Sequence, residues 1–375
     1  MRRAVVAIAP TLALALAPAR ALAQDSDPAA PEQSAPPAQP EPEHEWTLEL
    51  RGRVYVRDTV SRVDVGEDIW RHERAVDQAR LSVDYDRKRL RIALEFDFGG
   101  GDPELKDTYI RVRPVDPLRI HAGRFKVPMS YLGLESKWRL PSTERGLLSE
   151  LGLDDRDLPF AGGRGEGVSF ELRPDLALDP RLTAALFQSP LATGLAPIDP
   201  SEELTQDLYL RAEIEPGADL HLAAGFALVG YQDRLGVADS LRHLALGSVE
   251  LHADMRPLRA WLEVFAGQSF VYQAGGTFSG AFAAARALVA PRFRRPLAAL
   301  FRVEPYAGAS FLEPTDDRDG DRVSEIVAGV NVAFSRHWRL QLEGAQRVAE
   351  GVASPVADST LLRIQLGAAF TETLQ

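Results

Sequence analysis

Alternating apolar and polar side chains run through segments of about ten residues along most of this chain. The first segment, WTLELRGRVYVR (residues 46–57), places tryptophan, leucine and valine on one face and arginine and glutamate on the other. Successive side chains of a strand point to opposite faces, so each segment must lie between an apolar and an ionic environment. A soluble β-sandwich buries the apolar face in a core, whereas a barrel in a bilayer turns it to lipid and encloses the charges.

The period-two pattern predicts an all-β protein, a transmembrane antiparallel β-barrel of about 16 strands over residues 46–370. The predicted connections alternate between short turns, such as 86–88, and longer loops, such as 58–72 and 269–279. This alternation of short and long connections is typical of outer-membrane barrels. Two soluble β-sandwich domains, the alternative, explain the strands but not the alternation of short and long connections. Closure pairs every backbone group in hydrocarbon, and sixteen strands leave a lumen wide enough for water.

The two ends of the chain carry their own signals. Two arginines, an apolar stretch and the small-residue site Ala21-Leu22-Ala23 predict a secretory signal peptide over residues 1–23, with a retained membrane helix as the alternative. Residues 24–45 are rich in Pro, Ala and Glu and predict a disordered periplasmic tether. Residues 371–375 are predicted as a C-terminal tail. Together these features predict export to a Gram-negative outer membrane.

Composition narrows the chemistry. The chain has no cysteine, which excludes disulfides and thiolate chemistry, and its formal net charge of −11 argues against a nucleic-acid partner. Arginine is the dominant cation, with 39 Arg against four Lys.

Arginines recur on the face of the strands that the barrel turns to its lumen, most densely in the first five strands. A ring of basic side chains in a pore lowers the barrier to anions and raises it to cations. The alternative is that these charges only hold the barrel wall in shape through cross-strand ion pairs. The predicted pore-lining, anion-attracting residues are Arg51, Arg53, Arg57, Arg91, Arg111, Arg113 and Arg119.

The connection 129–165 is too long and too apolar for an idle surface loop. It carries Tyr131, Leu134, Trp138 and Phe160 among other apolar residues. We expect this third loop to fold into the barrel and to constrict the pore.

The run GRFKVPMS at residues 123–130, Glu144-Arg145 and the glycine-rich Gly162–Gly165 resemble the third-loop region of the phosphate-selective porin O/P family. The resemblance implies sixteen-stranded outer-membrane barrels that form trimeric passive channels, some with a basic constriction that prefers phosphate. It also implies three constriction candidates, namely Arg124, Lys126 and Arg164. The sequence departs from the family by lacking a lysine-rich constriction and by adding several acids to the loop.

Other motifs are weaker. Asp317, Asp319 and Asp321 have the oxygen density of a calcium loop, but no bidentate glutamate follows at the expected position, and an exposed acidic loop tip is the alternative. The seven histidines show no metal-ligand spacing. No G-x-S-x-G or comparable motif supports an outer-face hydrolase, so neither enzymatic activity nor a cofactor is expected.

The sequence therefore predicts an outer-membrane porin, a water-filled passive channel that prefers phosphate or other small anions. The expected partners are outer-membrane lipid and lipopolysaccharide, small anionic solutes and two further copies in a homotrimer. Two alternatives remain open: a general or sugar-type porin without anion specificity, and a barrel with a structural or binding role and no channel.

Overall fold

The computed structural model describes residues 46–64, 67–101, 103–147, 163–188, 206–217, 219–232, 241–255, 257–273, 276–291, 302–314, 322–350 and 358–374. The predicted signal peptide and tether lie outside these residues. The described chain consists of sixteen strands and one short helix. The elements are β1 Thr47–Asp64, β2 Asp68–Arg87, β3 Leu90–Asp97, β4 Glu104–Val115, β5 Leu118–Lys126, α1 Tyr131–Leu134, β6 Arg164–Leu172, β7 Arg181–Gln188, β8 Gln206–Gly217, β9 Leu220–Gln232, β10 Leu241–Met255, β11 Leu258–Gln273, β12 Gly276–Pro291, β13 Arg302–Pro314, β14 Arg322–Ala333, β15 Trp338–Glu350 and β16 Asp358–Leu374.

Each strand pairs antiparallel with the next, and β1 pairs with β16, so the sheet closes into a barrel. Closure leaves no edge strand with unpaired backbone groups. Because the strand number is even, both ends of the barrel chain lie at one rim, together with the turn between β2 and β3; we name it the turn end. The opposite rim, which carries the long connection between β5 and β6, is the loop end. The predicted all-β, sixteen-stranded antiparallel barrel is confirmed.

Burial along the strands is reversed relative to a soluble protein. On β16, Leu362 and Ile364 are 54% and 44% exposed, whereas Arg363 and Gln365 between them are 5% and 0% exposed. Charged residues are almost never fully buried unless they are paired. The ionic face therefore lies inside the barrel and the apolar face outside, as the alternation predicts for a barrel in lipid.

Two predicted loops are wrong because the strands continue through them. Residues 58–72 form a hairpin in which β1 reaches Asp64 and β2 starts at Asp68. Ion pairs from Arg62 to Asp68 at 2.6 Å and from Arg74 to Asp58 at 2.7 Å hold its polar residues in register. Residues 269–273 and 276–279, predicted as part of a loop, belong to the paired ends of β11 and β12.

The predicted C-terminal tail is also largely strand. β16 continues through residues 371–374, where Glu372 pairs with Leu50 and Leu374 pairs with Leu48 on β1. The first strand begins far enough toward the turn end to offer these residues a backbone partner. Of the predicted tail, residue 375 lies outside the described residues.

Apolar side chains fill part of the barrel interior between β5 and β12. Phe125, Phe187, Tyr209, Phe265 and Phe282 are all buried in one cluster. Phe125 and Phe187 lie with ring centroids 4.8 Å apart. This side of the lumen is thus packed with apolar side chains.

Candidate functional site

The connection between β5 and β6 folds into the lumen, as predicted, over its described residues 127–147. It enters through Met129, which is fully buried in the apolar cluster. Gly225 on β9 permits this close approach, because a Cβ there would lie 2.9 Å from the Met129 sulfur. The helix α1 follows, with the Ser130 hydroxyl accepting the N–H of Gly133 at 2.8 Å as N-cap. No described helix is long and apolar enough to span a membrane.

Carboxylates on the barrel wall receive the start of this helix. Glu250 on β10 accepts the N–H of Tyr131 at 2.7 Å, and Glu263 on β11 accepts the N–H of Leu132 at 2.7 Å. These are N–H groups that a helix leaves without an internal partner, and negative charge is favoured at that end. The wall therefore positions α1 by both hydrogen bonding and charge.

Cationic wall residues bind the loop carbonyls. Arg339 on β15 donates to the carbonyl oxygens of Lys137, Trp138 and Leu140 at 2.8, 2.9 and 3.2 Å. Its guanidinium also lies 4.7 Å from the centre of the Trp138 ring. Gln341 donates to the next carbonyl, that of Pro141, at 2.7 Å. The loop backbone is thus tied to β15 along one edge.

Four charges tie the other edge of the loop to β1 and β2. Lys137 lies 3.4 Å from Asp77 and 2.9 Å from Glu144, and Arg57 pairs with both of these carboxylates. Burial opposes ionisation of Glu144, but the neighbouring Lys137 and Arg57 outweigh it and lower the pKa of Glu144 to about 2. The four side chains form a closed ring of alternating charge.

A cavity of about 580 Å³ remains between this loop and the wall formed by β1 to β6 and β16. Its lining is predominantly basic among the described residues, with nine cationic and five anionic side chains. The cations are Arg57, Arg71, Arg80, Lys106, Arg124, Lys137, Arg145, Arg164 and Arg363. The anions are Glu73, Asp77, Asp97, Glu104 and Glu144.

Of the predicted pore-lining arginines, Arg53 and Arg57 lie beside the loop. Arg53 donates to the Ser136 hydroxyl at 2.8 Å and to Glu95 at 3.2 Å. Arg57 lines the cavity and joins the four-charge ring. Both side chains point into the barrel, where the register predicts them.

The other predicted arginines lie closer to the turn end. Arg51 and Arg91 both bind Asp84, the latter at 2.7 Å. Arg111 on β4 lies 3.6 Å from Asp86 on β2, two strands away. The two remaining residues also belong to this group: Arg113, half-buried two residues further along β4, and Arg119, 3.0 Å from Glu171.

The three constriction candidates have different positions. Arg124 and Arg164 line the cavity, and Arg164 binds Asp107 at 2.7 Å. Lys126 instead donates to the carbonyl oxygens of Gly133 and Leu134, both at 2.8 Å, at the end of α1. It therefore caps the loop helix and is not among the residues that line the cavity.

The calcium-loop candidates Asp317, Asp319 and Asp321 lie outside the described residues. Within the described ranges, no group of three or more His, Cys, Asp or Glu side chains is arranged to hold a metal ion.

Sequence reasoning missed two cavity cations within the loop, Lys137 and Arg145. Arg145 donates to the carbonyl oxygens of Leu132 and Glu135, both at 2.9 Å, and so stiffens the loop from within. The family-like motif Glu144-Arg145 could have drawn attention to this residue. A period-two pattern, however, predicts which way a side chain points only within strands.

No family model matches this chain, and no curated protein matches it either. Solved structures do match. An anion-selective porin from Comamonas acidovorans superposes with a TM-score of 0.66 at 11% identity, over 87% of this chain and 100% of that one. The outer membrane channel DcaP of Acinetobacter baumannii gives 0.63 at 12% identity, over 88% and 99%. This chain has the barrel fold of bacterial outer-membrane porins.

A third match extends the same fold to another organism. OmpF of Salmonella typhi, solved with daunomycin, gives a TM-score of 0.59 at 10% identity, over 86% of this chain and 97% of that one. Each of the three matches spans nearly the whole of the solved chain.

Proposed function

We propose that this chain forms a water-filled passive diffusion channel in a Gram-negative outer membrane, and that the channel prefers small anions. The observation that carries the proposal is the lining of the 580 Å³ cavity, nine cations against five anions, at the opening left between the inward loop and the wall. Cationic side chains around a narrow aqueous path attract anions and repel cations. The inverted burial of the strands supports the membrane location.

The preference should be partial. Carboxylates behind the lining offset some of its charge: Glu95 and Asp107 pair with Arg164 at 3.4 and 2.7 Å, and Glu343 pairs with Arg363 at 2.8 Å. Charges that are paired in this way contribute less field to the cavity than free ones. We therefore expect anions to permeate faster than cations, although cations also pass through the channel.

Membership of the phosphate-selective porin O/P family is the finer form of this proposal. The GRFKVPMS run supports it, and so do Arg124 and Arg164 in the cavity lining. The proposal includes export by the signal peptide over residues 1–23, a homotrimer, and contact with outer-membrane lipid and lipopolysaccharide. Lys106 and Lys137 also line the cavity, where Lys106 pairs with Glu104 and Lys137 with Glu144.

Planar-bilayer recording of the purified full chain tests the proposal. In a tenfold potassium chloride gradient, the reversal potential should have the sign of chloride selectivity. A potential of the opposite sign contradicts the anion preference, and one near zero favours the general porin. Absence of conductance contradicts the channel itself. Added phosphate should reduce the chloride current if the cavity binds phosphate, and an unchanged current contradicts the phosphate-selective form.

A further inference from the structure

Two histidines face each other inside the barrel, on the turn-end side of α1. His221 on β9 and His252 on β10 are directly opposed in the antiparallel register. Opposed residues have Cβ atoms about 5 Å apart and side chains on the same face. The ring of Tyr131, the first residue of α1, lies 4.8 Å from the His221 ring and 4.5 Å from the His252 ring. Both imidazoles therefore gather beneath the inward loop.

Each imidazole keeps one nitrogen without a partner. The Nε2 atoms of His221 and His252 are buried and have no hydrogen-bond partner among the described residues. His221 itself is only 8% exposed. Buried polar atoms in folded proteins are nearly always bonded, so these two nitrogens, on one face of adjacent strands, are candidates to bind a ligand.

The surroundings orient one of these nitrogens for coordination. The carboxylate of Glu215 lies 3.6 Å from His221 Nδ1, the opposite side of the ring from Nε2. A carboxylate beside one ring nitrogen, with the other nitrogen left open, is the arrangement found around metal-bound histidines. The His252 ring stacks on the Trp261 ring, with ring centroids 5.2 Å apart and an angle of 14° between the ring planes.

We propose that His221 and His252 form a binding site for one divalent transition metal ion such as zinc. Imidazole nitrogens suit zinc, copper and nickel, whereas calcium and magnesium require oxygen ligands. Water completes the coordination. Two protein ligands give a weaker site than the three or four of catalytic and structural zinc centres. Because Tyr131 begins α1, occupancy is coupled to the position of the loop.

Four carboxylates act on the two histidines, Glu213 and Glu215 at His221 and Asp254 and Glu135 at His252, against two arginines, Arg211 and Arg259. Glu215 stands beside His221, and Glu135 accepts the Tyr131 hydroxyl at 3.3 Å. Arg259 opposes a cation beside His252, and its guanidinium lies 4.5 Å from the centre of the Trp261 ring.

Isothermal titration of the full chain in detergent with zinc chloride at pH 7.5 tests this site. We expect one zinc per chain, with His221→Asn and His252→Asn each weakening binding at least tenfold. Absence of binding up to about 1 mM zinc, which corresponds to only about 4 kcal/mol of affinity, overturns the proposal.

His121→Asn is the matched control. His121 faces the lumen on β5, contacts aromatic rings and also has an unbonded Nε2, but Arg111 and Ser169 stand opposite it instead of a second histidine. Binding should survive this change. Loss of binding in the control, or its retention when His221 and His252 are both replaced, refutes the assignment. Heat-modified mobility on gels confirms that each variant is folded. The titration needs no conductance, so it stands apart from the channel proposal.

Discussion

Removal of one cavity charge gives the sharpest test of the electrostatics. Arg71 lies on β2, lines the cavity and is exposed, and no ion-pair partner is found for it among the described residues. Arg71→Gln therefore removes a positive charge without orphaning a buried carboxylate. The matched control is Arg74→Gln on the same strand, because Arg74 pairs with Asp58 and does not line the cavity.

The size of the effect follows from the cavity. A volume of about 580 Å³ corresponds to a sphere of about 5 Å radius. A unit charge about 5 Å from an ion in water contributes ~0.8 kcal/mol, which screening at 0.1 M salt reduces to ~0.5 kcal/mol. The contribution has opposite signs for anion and cation. The ratio of chloride to potassium permeability should therefore fall about fivefold when this charge is removed.

The assay is the reversal potential of single channels in potassium chloride gradients at two mean salt concentrations. The fivefold fall should shrink to less than about twofold near 1 M salt, where the screening length is about 3 Å. Arg74→Gln should leave the ratio unchanged at both. Equal shifts in the two variants, or a shift of Arg71→Gln that does not diminish with salt, refute the reasoning that the cavity sets selectivity.

Two further predictions concern the anchoring of the inward loop. The pKa of Glu144 is lowered to about 2 from an ordinary value of about 4.3, so its ionised form stabilises the folded loop above pH 4 and that stabilisation is lost as pH falls toward 2. Current noise should rise across this interval in the native channel, whereas Glu144→Gln should be noisy already at pH 7. Arg339→Met removes the donor to three loop carbonyls, each costing ~1–3 kcal/mol when left unbonded. We expect a lower melting temperature and frequent closures, and unchanged values of both would contradict the anchoring role.

The sequence was sufficient to predict the barrel because its main signal is local. In β16 the alternation of Leu362, Arg363, Ile364 and Gln365 is present in the letters and reappears as alternating exposure. Strand ends were less predictable. The hairpin over residues 58–72 lacks alternating apolar residues because it pairs through charged side chains, and such pairing becomes visible only when the two strands lie side by side.

Interior contacts between distant residues were beyond the pattern. The inward direction of the third loop followed from its apolar content, but its partners did not, since Thr143 binds Glu343 two hundred residues further along the chain. The alternating pattern predicts that a side chain faces the lumen, but it does not show which other residues fill that part of the lumen. The apolar cluster around Phe187 and Phe265 is one consequence, because those inward positions look like ordinary interruptions of a polar face.

Arginine content alone is therefore a poor measure of the selectivity of this barrel. Arg339 faces the lumen by register, yet its charge is bound to the backbone of the loop, where it no longer faces the permeation path. Arg71 lies in a segment without clear alternation, yet it lines the open cavity. A buried guanidinium that is hydrogen-bonded to carbonyls stabilises the structure, whereas an exposed one adds to the positive potential in the cavity. The two classes of arginine should therefore give different results when they are replaced. Replacement of an anchoring arginine should change noise and stability with little effect on ion preference, and replacement of a lining arginine should do the reverse.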